Sequence, residues 1–380
     1  MNKTFYQRRS LLQLAGFGAV SGLLAPGLTG CITTDNTSHR WQGNADYQNS
    51  IVIDGLSAAF DRGVDAIDPA LLATFKHSGI TAVNATIPYP GDDYQQTVAK
   101  IDDTLAVIRK YPNDFRLIKT AADLHRAKAA NQIGIIMGFQ STEMFGNDVS
   151  LINAFARMGV RIMQLSYNGP SQFGAGGLVP DNPGLSELGR EAIQQMEASN
   201  VLVDLSHSGQ QTVSDAIKQA TRPLTISHTG CNSIYRHPRN NDDAELKAVA
   251  DKDGVIGIYL MPFLEGGDGE LTAEAFYRHL DYAINLLGAD HVAIGSDQGI
   301  QPVADGPEYR EMIRKEVERR IAAGISAPGE TPNRPPFIPA LNSERRMAMI
   351  AEGMDKRGYN AREIEQVIGE NWLRLFKAVW

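Results

Sequence analysis

Hydrophobic residues gather along this chain in short runs separated by longer amphipathic stretches, and the alternation repeats eight times. The runs lie at 51–53, 81–87, 133–139, 160–165, 201–205, 223–226, 255–260 and 291–294. Between them, apolar positions recur at helical spacing over 69–77, 94–111, 121–130, 150–158, 186–199, 211–221, 242–253 and 272–287. Short apolar runs predict strands buried on both faces, and such strands alternating with helices predict a parallel sheet. Eight units predict a closed (β/α)8 TIM barrel; an open doubly wound sheet is the alternative, since closure leaves no mark in a sequence. Past the eighth run, 300–318 is polar and then helical. The stretch 327–339 (APGETPNRPPFIP) predicts a loop over the barrel mouth or at a subunit contact, and 342–358 and 361–379 predict two closing helices.

A barrel of this kind collects the carboxyl ends of its strands around one mouth, so the residues just past each run are the candidates for chemistry. The fifth and sixth runs both end in Ser-His, as Ser206-His207 and Ser227-His228. Consecutive parallel strands joined by a right-handed crossover set these ends side by side, and a metal is the economical reason for the pair of imidazoles. Each histidine capping its own strand is the blander alternative. Gln140 follows the third run, Tyr167 the fourth and Asp297 the eighth, completing the best-placed set. Glu143 reads as a solvated loop acid and Cys231 as small packing. His39, His77, His125, His237, His279 and His291 read as structural. The glycine-rich stretch 173–177 lacks the lysine of a phosphate loop and predicts a loop folding over the site.

Composition narrows the partners. The formal net charge is −8, and Lys3, Arg8 and Arg9 are the only charges in the first thirty residues, so the acidic excess beyond them is larger still. Such a surface disfavours nucleic acid and anionic membrane surfaces. Gln7-Arg8-Arg9-Ser10-Leu11-Leu12 is a twin-arginine pattern, and Leu28-Thr29-Gly30-Cys31 resembles a lipobox. The expectation is a signal peptide over 1–30, lipidation of Cys31, a polar linker over 31–50 and one domain over 51–380. The product is an exported periplasmic or cell-envelope lipoprotein, tethered by lipid alone; an ordinary signal peptide cut nearby is the alternative. With Cys31 carrying lipid, Cys231 has no partner for a disulfide.

Five segments stand out: GLSELGR at 184–190, VDLSH at 203–207, ISH at 226–228 with HPRN at 237–240, DHVAIGSD at 290–297 and GENWLRL at 369–375. Together they resemble the membrane dipeptidase family (renal dipeptidase-like, peptidase family M19) of amidohydrolase-like barrels. The resemblance implies two zinc ions in active members, with His207 and His228 on the second metal, Asp297 as the strand-eight aspartate, and Arg239 gripping a substrate carboxylate. It also implies a homodimer. The departures are specific. Leu56 and Ala58 stand where the family has His-x-Asp, Gln140 where it has a bridging glutamate, and Tyr167 where it has a histidine. Leu56 and Ala58 cannot ligate, and a neutral Gln140 cannot hold two dications together. The expectation is therefore one divalent ion at most, zinc first, on His207, His228 and a weak oxygen from Gln140 or Asp297. Asp297 would act as base and Tyr167 as oxyanion donor, cleaving a dipeptide or related amide. The alternatives are a metal-independent maturation enzyme, for example of a siderophore peptide, and a non-catalytic carboxylate- or peptide-binding protein.

Overall fold

The computed structural model describes residues 40–58, 67–322 and 326–380, all within one unit that spans 38–380. The twin-arginine pattern, the lipobox and Cys31 lie outside the described residues, so the signal peptide and lipid anchor remain expectations.

Nine parallel strands are found among the described residues: β1 Ile53–Ser57, β2 Ala82–Thr86, β3 Phe115–Leu117, β4 Ile133–Phe139, β5 Val160–Gln164, β6 Leu202–Asp204, β7 Thr225–Thr229, β8 Val255–Ile258 and β9 Val292–Ile294. Eight of them pair in the order β1-β2-β4-β5-β6-β7-β8-β9, and helices connect successive members. This is the (β/α)8 barrel, closed except for one seam. No backbone ladder joins β9 to β1; instead the Ser296 amide donates to Asp54 Oδ1 at 2.7 Å, the Ser296 hydroxyl donates to Asp54 Oδ2, and the Asp297 amide donates to the Leu56 carbonyl at 3.0 Å.

The eight expected strands are the eight of the barrel, and β3 is an additional short strand off its path. β3 pairs with residues 133–135 of β4, whereas β5 pairs with 137–139, so the two share the edge opposite β2. Three residues, two of them half-exposed, leave no apolar run to detect. The first and sixth strands also extend further than their apolar runs, because Asp54, Ser57 and His228 are buried in them. The expected linker is structured from Gly43 onward: Asn44–Asn49 is a helix, with Tyr47 buried and its hydroxyl donating to the Ser78 carbonyl at 2.8 Å.

Helix starts follow local chemistry. Asp68 accepts from the Leu71 amide with Pro69 in the first turn, and Asp93/Gln96, Asp242/Glu245 and Asn360/Glu363 close capping boxes. The expected last helix is interrupted. Ala361–Glu365 runs into a π-turn at Gln366–Glu370 and then Asn371–Val379. The reason is close approach, since a Cβ on Gly369 would stand 2.0 Å from the Ile51 carbonyl oxygen. That turn delivers Trp372 against Gly55, where its indole donates to the Ile294 carbonyl at 3.0 Å. Trp372, Leu373 and Phe376 pack in one buried cluster with Ile53, Ala82, Ile136, Ile162, Leu202, Val255 and Ala293, so the helix plugs the barrel floor.

The proline-rich stretch lies over the mouth. His237 Nε2 donates to the Pro328 carbonyl at 2.6 Å and Gln298 Nε2 to that of Pro336 at 2.8 Å, which ties it to the loops after β7 and β9. No helix among the described residues is long and apolar enough to cross a membrane.

Candidate active site

The two histidines expected to share the mouth do so. His207 follows β6 and His228 lies within β7; both are buried, and their rings meet edge to face with centroids 4.8 Å apart. Tyr167, just past β5, stacks on His207 at 4.2 Å. Gln140 follows β4, and its Oε1 stands 3.1 Å from His207 Nε2.

His228 owes its orientation to Asp204, a buried carboxylate in the middle of an apolar run. Five donors converge on it: the Gln164 amide, the backbone N–H groups of Ser206 and Ser227, and the hydroxyls of both serines. The Ser227 hydroxyl spends its one proton on Asp204 at 2.5 Å, so its oxygen can only accept from His228 Nδ1 at 2.9 Å. The proton therefore sits on Nδ1, and Nε2 carries a bare lone pair. That atom is buried and has no hydrogen-bond partner among the described residues.

His207 poses a matching problem. Nδ1 lies 2.7 Å from Asn168 Oδ1 and Nε2 faces Gln140 Oε1, two acceptors for a ring that has one N–H when neutral. Burial, and secondarily the Arg239 charge, hold the His207 pKa well below the ordinary imidazole value, so the doubly protonated form is disfavoured. Nδ1–H then serves Asn168, while Gln140 Nε2 donates to Thr86 Oγ1 at 2.7 Å and turns Oε1 toward His207. Two lone pairs facing each other without a proton between them, beside the bare His228 Nε2, suit a cation. A rotated Gln140 amide donating to Nε2 would close the same gap without one. Among the described residues no three His, Cys, Asp or Glu side chains gather closely enough to hold a metal.

Asp297 and Arg239 complete the charged set. Burial pushes the Asp297 pKa up to about 7, with Arg239 opposing and Asp54 adding to the rise. Burial likewise raises the Tyr167 phenol, reinforced by Asp297 and opposed by Arg239. Arg239 is buried, and its loop is braced by His237, whose Nδ1 accepts from the Arg239 amide at 3.0 Å. Among the described residues, five that are not glycine adopt positive φ. Asn131, Asn200 and Asp253 do so just past helix ends, where Asn and Asp tolerate it; His207 (66°) and Asp297 (58°) do so at strand ends inside the site. Such conformations cost about 1 kcal/mol or more and persist where surrounding structure enforces them.

Leu56 is buried, its carbonyl accepting from the Asp297 amide and its own amide donating to Asp54 Oδ1 at 3.4 Å; Glu143 is exposed and accepts from the Thr142 amide at 3.0 Å. Cys231 is buried, and its amide donates to His279 Nδ1. His237, read as structural, braces Arg239. Sequence reasoning missed Asn168, Asp204 and Ser227 as the groups that orient the two imidazoles. An acid inside an apolar run, three residues before a strand-end histidine, was the available signal for Asp204.

The barrel, whose mouth gathers two neutral imidazoles, a raised carboxyl and a buried arginine, has the (β/α)8 fold of the metal-dependent hydrolases. Residues 62–323 match the membrane dipeptidase family (peptidase family M19), and the chain belongs to that family. It is 26% identical over 301 residues to an uncharacterized protein in the pqqA 5′ region of Klebsiella pneumoniae, covering 77% of this chain and 98% of that one. It is 27% identical over 236 residues to dipeptidase tcpJ of Claviceps purpurea, covering 60% of this chain but only 56% of that protein. Among solved structures, an amidohydrolase from Pseudomonas aeruginosa superposes with a TM-score of 0.76 at 28% identity, covering 88% of this chain and 98% of that one. A metallopeptidase from Rhodobacter sphaeroides, liganded with a phosphinate mimic of L-Ala-D-Ala, has the same fold (TM-score 0.71, 21% identity, 87% and 100% covered).

Proposed function

We propose that this chain is a dipeptidase-like amide hydrolase working with at most one divalent ion, held by His207 Nε2, His228 Nε2 and Gln140 Oε1. The observation that carries the reading is the bare, buried His228 Nε2, aimed by the Asp204–Ser227 relay beside two facing acceptors. An ion bound there, zinc first, supplies Lewis-acid chemistry toward the scissile amide. The remaining work falls to side chains. Arg239, cationic and buried, pairs with the substrate carboxylate and fixes the amide in the mouth. Asp297, with a pKa near 7, takes the proton of the attacking water and returns it to the departing amine. Tyr167 keeps its proton and donates it in a hydrogen bond to the carbonyl oxygen as charge develops there.

The substrate class is a small peptide or related amide with a free carboxylate. Export, the lipid anchor on Cys31 and a homodimer belong to the same proposal. They are supported by the twin-arginine and lipobox patterns and by family resemblance. Metal content of the untagged protein, measured beside a His207→Ala/His228→Ala variant and a dipeptide hydrolysis assay, tests the reading. About one equivalent, lost in the variant and accompanied by turnover, supports it. No metal after incubation with zinc, or metal without any amide cleavage, overturns it.

A further inference from the structure

Beside the mouth runs a groove of about 810 Å³ whose walls include Asn168, Pro170, Leu178, Val179, Pro238 and Pro328. No charged side chain lines it among the described residues, and its few polar groups are neutral. Four of its lining residues are the parts that hold the site. Asn168 bonds His207 Nδ1. Gly177, also in the wall, donates its amide to the His207 carbonyl at 2.7 Å, and a Cβ there would stand 2.4 Å from the Pro238 carbonyl oxygen. Pro238 precedes Arg239, and Pro328 accepts from His237, whose other nitrogen holds the Arg239 amide. The groove is thus continuous with the mountings of both the imidazole pair and the carboxylate clamp.

Its composition bears on what it can hold. Four prolines, counting Pro180, stiffen the walls, so little conformational freedom is lost when the groove fills. A volume of this size exceeds what a small dipeptide needs, and neutral, mostly apolar walls reject an ammonium or carboxylate while accepting hydrocarbon. We propose that the substrate is amino-terminally blocked by an apolar acyl or similarly neutral group, which lies in this groove while its carboxylate pairs with Arg239. The inference rests on the hydrolase reading for the position of the carboxylate. Burial in the groove strengthens binding about twofold to fourfold per methylene.

The test compares binding of Ala-Ala, acetyl-Ala-Ala and hexanoyl-Ala-Ala by calorimetry, on the full chain and on Val179→Asp and Arg239→Ala variants. Val179 is half-buried, so the aspartate can be tolerated while charging the groove. The expected result is at least tenfold tighter binding of the hexanoyl than of the acetyl compound, with that gain lost in Val179→Asp and acetyl binding retained. Equal affinities for the two acylated compounds, with Arg239→Ala weakening both, would overturn the groove assignment and leave the hydrolase reading standing. A chain-length gain that Arg239→Ala leaves at full affinity would place the acyl group in the groove but remove the carboxylate clamp. A concentration-dependent dimer that Val179→Asp dissociates, with no chain-length gain, would assign this face to a second copy of the chain instead.

Discussion

Single residues carry the chemistry, and their environments set measurable expectations. Replacing Arg239 with alanine should raise KM for a carboxylate-bearing dipeptide about tenfold to a hundredfold, the range of a lost charge-assisted hydrogen bond; steady-state kinetics checks it, and an unchanged KM would remove Arg239 from the site. Glu245 offers a test of burial apart from catalysis. Its pKa is pushed up to about 7, chiefly by burial, with the Asn241 and Asp242 N–H groups opposing. A raised folded-state pKa means the contribution to stability is complete below the unfolded value of 4.5 and is lost as pH rises through about 7. Glu245→Gln keeps an acceptor for both donors, so in thermal melts the variant should gain on the natural protein from about pH 5 to pH 7 and level off above that. At this scale much was legible: His207, His228, Gln140, Tyr167 and Asp297 stand at strand ends because the barrel puts strand ends there. Asp204, Ser227 and Asn168 were not, because an orienting role depends on which atoms come within hydrogen-bond distance across separate strands, and no spacing encodes that.

Elements were legible where periodicity is strong and lost where close approach decides. The helix 94–111 was readable to within a residue of the observed Tyr94–Lys110, because its capping box and amphipathic face agree. β3 was not, and neither was the π-turn at Gln366–Glu370, whose cause is the Ile51 carbonyl pressing on Gly369. Gly369→Ala should therefore cost about 1–3 kcal/mol, since backbone must shift to admit the methyl group. Denaturant titration measures it, and a variant as stable as the natural protein would show that the turn does not depend on that contact.

For the whole molecule, the eightfold alternation sufficed for the barrel, whereas its seam, its plugged floor and the strap over its mouth arise from contacts between distant segments. Ligand linkage probes the folded molecule as one unit. Zinc that binds the native site alone should raise the melting temperature, by the equivalent of about 2.7 kcal/mol at a hundredfold excess over Kd. A chelator should reverse the rise and His228→Ala should abolish it; an equal rise in that variant would place zinc elsewhere.

The seam has a further meaning in time. Asp54 and Ser296 are 242 positions apart, and Trp372 reaches Gly55 from nearer still to the far end of the chain. Contacts of such span form late, because a long loop must be ordered before they return anything. A nascent chain can therefore assemble most of its staves on the ribosome, yet β1 has no partner on its outer edge until β9 and the floor helix have been synthesised. The active site, which draws on strands all round the barrel, is complete only once β1 and β9 have met across the seam.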